Sequence, residues 1–124
     1  MEADRTILLI DDEEPLLRLM ELYLDRMGYR VIASLTVDEA LNALAAPSRP
    51  IDLLIADLSL LKHRDSLVEI AQQHPALRVL VCSGLPFEVN VLPEPLQSRF
   101  SSLQKPFLPD MLHHAVEELL ARRV

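Results

Sequence analysis

The chain has 124 residues, a net charge of −7 and a hydrophobic share of 50%, which suits one domain over 1–124 with a core of its own. The acidic balance argues against non-specific binding to nucleic acid or to an anionic membrane. No apolar stretch reaches transmembrane length, acidic Glu2 and Asp4 speak against a signal peptide, and two glycines are too few for a glycine-rich phosphate loop.

Strand and helix patterns alternate from the start. Arg5 to Ile10 reads as a buried strand, and a helix follows from about Pro15 to Met27. Pro15 suits its first turn, and Asp12, Glu13 and Glu14 suit its positive end. Leu16, Met20, Tyr23, Leu24 and Met27 form its apolar stripe, and Gly28 is the candidate C-cap. Tyr29 to Ala33 reads as the second strand. Thr36 with Glu39 forms a capping box for a second helix with Val37, Ala40, Leu41 and Leu44 on one face. Pro47 and Pro50 end it.

Asp52 to Ala56 reads as the third strand. A short helix over about Ser66 to Gln73 turns Leu67, Ile70 and Ala71 inward, and Leu77 to Cys82 is the fourth strand. Cys82, the single cysteine, has no partner for an internal disulfide and reads as a buried thiol in a cytosolic protein. Pro86, Pro93 and Pro95 confine any next helix to about Phe87 to Leu92. Phe100 to Leu103 is a fifth, short strand. Pro109 opens a last helix with Met111, Leu112, Ala115, Val116, Leu119 and Leu120 inward. Five strand–helix pairs predict an α/β fold, a (βα)₅ doubly wound parallel sheet in the order 2-1-3-4-5.

Polar residues stand where the strands end: Asp11-Asp12, Asp57, Ser83 and Lys105-Pro106-Phe107. Chemistry in an open parallel sheet collects beyond those carboxyl ends. Three carboxylates brought together repel, by roughly 3 kcal/mol per pair at ~5 Å and an effective dielectric of ~20. Such a cluster calls for a cation, and carboxylate oxygens at a hydrated rim suit Mg²⁺. A metal, the Lys105 ammonium and the Ser83 hydroxyl together would hold a phosphoryl group for in-line attack by Asp57. The histidines, His63, His74, His113 and His114, lack zinc-ligand spacing and read as surface residues.

In this order and at this length, the motifs resemble the receiver domain of two-component response regulators over the whole chain. The resemblance implies a flavodoxin-like, CheY-like fold and a cytoplasmic phosphorelay protein without separate substrate turnover. By resemblance, Asp57 is the phosphoacceptor, and Ser83 and Lys105 contact the phosphoryl group. Asp12, Asp57 and the Ser59 backbone carbonyl bind Mg²⁺, with Asp11 acting partly through water. The implied partner is a histidine kinase or phosphotransfer protein. Ser59 and Leu85 border the path of attacking water, and the Lys105–Pro106 bond is cis.

The chain departs from the family pattern in four places. Leu60-Leu61 replaces the usual Met-Pro after the phosphoacceptor. Asp65 stands where a glycine is usual, which implies a left-handed residue. Ser102 replaces the switch aromatic, with buried Phe100 its only stand-in nearby. The fourth helical region carries three prolines. These departures leave one rival, a degenerate receiver that binds partners without phosphorylation. A haloacid-dehalogenase-like phosphatase fits worse, because its D-x-D nucleophile follows the first strand.

Overall fold

The computed structural model describes residues 5–45, 49–60 and 64–123. Pro47, Leu61 and His63 lie outside them. In chain order the elements are β1 (Thr6–Ile10), α1 (Glu14–Arg26), β2 (Arg30–Ser34), α2 (Val37–Ala45), β3 (Leu53–Asp57), α3 (Arg64–Gln73), β4 (Arg78–Ser83), α4 (Glu94–Gln97), β5 (Phe100–Gln104) and α5 (Pro109–Ala121). The five strands pair in parallel in the order β2-β1-β3-β4-β5. The predicted doubly wound topology is the one observed.

Strand alternation sorts the core into two layers. Ile7, Leu9, Leu53, Ile55, Leu80, Cys82 and Leu103 face α1 and α5. Leu8, Ile10, Leu54, Ala56, Val79 and Val81 face α2, α3 and α4. β1 and β3 are buried at every position, as strands covered on both faces must be. Gly28, at φ 96°, terminates α1 as predicted, in a conformation that costs glycine little. Half of the predicted capping box forms: Glu39 N–H donates to Thr36 Oγ1 at 3.2 Å, while Glu39 Oε1 accepts from Leu35 N–H, one residue before the cap, at 3.2 Å.

Four expectations need correction. The buried stripe of α1 is Leu17, Met20 and Leu24; Leu16 is only half-buried. Leu41 and Met111 are 42% and 46% exposed, because the stripes of α2 and α5 are narrower than the runs of apolar residues. The helix expected over 87–92 is a single 3₁₀ turn at Val89–Val91, followed by the one-turn α4 beyond Pro93. Pro95 falls in the first turn of α4, where a missing N–H costs nothing. Asp65 is helical, in the first turn of α3, and no described residue other than Gly28 has positive φ. The position therefore carries no left-handed strain.

Arginines stand at the opposite ends of the strands from the acidic residues. Arg30 and Arg78 begin β2 and β4, and Arg5 and Arg99 immediately precede β1 and β5. Arg99 is buried. Its guanidinium donates to the carbonyls of Ala71, His74, Pro75 and Leu77 at 2.8–3.0 Å. It thereby satisfies carbonyls at the C-terminal end of α3 and ties them to the start of β5.

Candidate metal and phosphoryl site

Parallel register brings the acidic residues together. Ile10 pairs with Ala56 between β1 and β3, so Asp11 lies beside Asp57 one step further on. Alternation puts Asp11 on the same face as Leu9, Asp57 with Ile55, and Lys105 with Leu103. All three side chains therefore emerge on the α1/α5 face at the carboxyl edge of the sheet. Ser83 has the opposite parity.

Carboxylate oxygens of Asp11, Asp12 and Asp57 lie within 4.8 Å of one another. Asp11 and Asp57 are buried, at 3% and 6% exposure, while Asp12 is exposed. Lys105 Nζ donates to Asp11 Oδ2 at 2.9 Å, to Asp57 Oδ2 at 3.0 Å and to Glu13 Oε1 at 3.3 Å. Burial disfavours this ammonium, but its hydrogen bonds to Asp11 and Asp57 outweigh that cost and hold it above the ordinary lysine range. Asp57 Oδ1 accepts from the backbone N–H and the hydroxyl of Ser59 at 3.1 and 3.0 Å. Asp11 Oδ1 accepts from Glu13 N–H at 2.9 Å, which fixes the carboxylate at the mouth of α1.

Five of the residues singled out from the sequence thus meet: Asp11, Asp12, Asp57, Ser59 and Lys105. Ser83 joins them through its backbone, its carbonyl accepting from Lys105 N–H at 2.8 Å. Its hydroxyl accepts from Leu85 N–H at 3.1 Å. The bond between Lys105 and Pro106 is cis. Glu13 was not singled out as a site residue. Its sequence signal is its place as the third consecutive acid after β1, a pattern that equally fits a charge at the positive end of α1.

The donor set fits a hard divalent cation. It consists of carboxylate oxygens, one residue of the three is open to solvent, and among the described residues no histidine or cysteine joins the cluster. Cys82 lies in the layer beneath, and burial pushes its thiol up to about 12.

No protein-family model matches the chain. Transcriptional regulatory protein GlrR of Escherichia coli (strain K12) is 29% identical over 116 residues, which cover 92% of this chain and 26% of that protein. The chain thus spans about a quarter of the length of the curated relatives it matches. A response regulator receiver domain protein from Clostridium thermocellum superposes with a TM-score of 0.76 at 24% identity, covering 94% of each chain. The chain has a receiver-domain fold. A response regulator from Thermotoga maritima gives the same result, with a TM-score of 0.77 at 21% identity over 96% of this chain and 99% of that one. The resemblance to response regulators therefore holds in sequence and in fold. Among the described residues, no helix is long and apolar enough to cross a membrane.

Proposed function

We propose that this receiver fold is a phosphoacceptor, and that Asp57 takes a phosphoryl group from a phosphohistidine of a histidine kinase or phosphotransfer protein. The observation that carries the reading is the convergence of Asp11, Asp12 and Asp57 within 4.8 Å, with Lys105 Nζ 3.0 Å from Asp57. A carboxylate oxygen of Asp57 attacks phosphorus as the P–N bond breaks, and the electron pair leaves with the imidazole. Asp12, Asp57 and the Ser59 carbonyl, with Asp11 acting partly through water, would hold Mg²⁺, which would supply positive charge for the phosphoryl oxygens.

The chain's own groups do the remaining work. Both oxygens of Asp57 are hydrogen-bonded at rest, to Ser59 and to Lys105. Transfer of the ammonium from Asp57 to the incoming phosphoryl oxygens frees the nucleophile and follows the charge. The Ser83 hydroxyl, bonded to Leu85 N–H at rest, turns toward the same group. No separate substrate is turned over; the phosphoryl group leaves by hydrolysis or by transfer to a partner. Leu85, being apolar and exposed, does little to orient an attacking water. The rival, a binding module that is never phosphorylated, draws support from the Lys105 clasp itself, which already compensates two of the three carboxylates.

Incubation with Mg²⁺ and acetyl phosphate or phosphoramidate, followed by intact-mass analysis, tests the proposal. The wild type should gain one phosphoryl group and Asp57→Asn none. An unmodified wild type would establish the binding-module reading, and a labelled Asp57→Asn would reassign the acceptor.

A further inference from the structure

A cavity of about 550 Å³ opens at the pole opposite the acidic site. Its walls are Arg5 before β1, Tyr29 before β2, Arg78 at the start of β4, and Glu117, Leu120, Ala121 and Arg122 on and after α5. Among the described residues, three guanidiniums face one carboxylate, in a chain whose net charge is −7.

The charges are not equivalent. Arg122 is committed: it donates to Glu118 at 2.7 and 2.8 Å and to the Phe100 carbonyl at 2.8 Å. Glu117 is drawn along the helix toward His113, at 3.2 Å. Arg78 uses Nη2 on the Arg122 carbonyl at 2.7 Å, while its buried Nε–H has no acceptor. The Arg5 side chain makes no hydrogen bond or ion pair with the described residues. Among the described residues, the positive surplus of the cavity therefore comes from Arg5 and Arg78.

Arginines at this end of the sheet have a structural use, as complements to helix C-termini. Arg99 shows what that use looks like when fulfilled, with four carbonyls engaged by one guanidinium. Arg5 engages none. A buried donor left without an acceptor is rare in a folded chain, and forked guanidinium donors match the oxygens of carboxylates and phosphates. The volume lies in the ordinary range of small-molecule sites, about 300–1,000 Å³.

We propose that this cavity binds a small soluble oxyanion carrying two or more negative charges, held chiefly by Arg5 and Arg78. The chemistry is shared by phosphate esters and polycarboxylates. Leu120 and Ala121 give it an apolar wall, and Glu117 excludes ligands too weakly charged to offset a nearby carboxylate. The site stands on its own residues and owes nothing to phosphorylation of Asp57.

Calorimetric titration with inorganic pyrophosphate and, separately, with citrate is the test, in buffer stripped of divalent cations on a chelating resin and at constant ionic strength, so that the acidic site takes no part and no other polyanion competes. One anion per chain should bind, and the arm that binds tells phosphate from carboxylate. Arg5→Gln and Arg78→Gln should each weaken it about tenfold or more. Arg30→Gln, outside the cavity, should change it by less than about twofold. Arg5 precedes the sheet, so its variant keeps the test valid even where Arg78→Gln unfolds. Absence of binding in both arms, or binding that Arg5→Gln leaves intact, would overturn the proposal.

Discussion

Lys105 Nζ lies 3.0 Å from Asp57 Oδ2, although 48 residues separate the two. The same ammonium holds Asp11 at 2.9 Å, so one cation bridges the ends of β1 and β3 from the end of β5. The site at rest is thus an ion-paired cluster, and any incoming cation or phosphoryl group competes with a lysine already in place.

Lys105→Met should destabilise the metal-free fold by on the order of 3 kcal/mol, because two buried carboxylates lose their counter-charge. Mg²⁺ should then raise the thermal midpoint of the variant more than that of the wild type. The sign of the pH effect follows from the raised lysine. Its contribution is fully present below the unfolded value near ~10.4 and is lost only as pH rises through the higher folded value. The difference between wild type and variant therefore owes nothing to titration of Lys105 near neutrality. Thermal unfolding with and without Mg²⁺ checks this; identical midpoints in EDTA would contradict the clasp.

Asp12→Ala should weaken Mg²⁺ binding about tenfold or more, since it deletes the most accessible carboxylate of the three. The metal-free variant should be at least as stable as the wild type, because one like charge leaves the cluster. Calorimetry with Mg²⁺, beside denaturant unfolding in EDTA, measures both. An unchanged affinity would remove Asp12 from the ligand set.

Much of this was legible in the sequence, and the misses have physical causes. Apolar runs ending in Asp11-Asp12, Asp57, Ser83 and Lys105 marked the strands and the rim, because parallel strands bury whole runs and release polarity only where they end. The face of α1 is ambiguous in sequence because Leu16-Leu17, Leu19-Met20 and Tyr23-Leu24 are apolar doublets, which satisfy two adjacent stripes equally well; packing selects Leu17. Prolines before β5 signal helix breaks in sequence, yet a proline also suits a first turn, and Pro93 and Pro95 open α4. The bridging role of Lys105 and the carbonyl cluster around Arg99 join residues far apart in sequence, and no local pattern encodes them.

Cys82 should resist alkylation in the native protein. Burial raises its thiol to about 12, more than nearby Lys105 lowers it. At about pH 8, iodoacetamide should label the native chain at least about a hundredfold more slowly than the urea-unfolded chain. Since the folded thiol holds its proton above the usual 9.0, its ionisation adds a loss of stability as pH rises from there toward about 12. Equal labelling rates would place the sulfur at the surface.

Arg99→Met should cost about 2 kcal/mol or more, although the replacement fills much of the apolar volume, because carbonyls at the end of α3 lose their donor. Arg99→Lys should recover only part, since an ammonium cannot fork across four acceptors. Urea unfolding of both variants reads the difference. Wild-type stability in Arg99→Met would show that water replaces the guanidinium without loss.

Among the described residues, arginines at or just before the starts of β1, β2, β4 and β5, with carboxylates at the ends of β1 and β3, also set up an electric axis along the strands. A partner with a basic surface would then be turned toward the acidic rim before any contact forms, and the guanidinium pole would face away. Encounter should accordingly speed up as ionic strength falls, while the lifetime of the docked pair changes little.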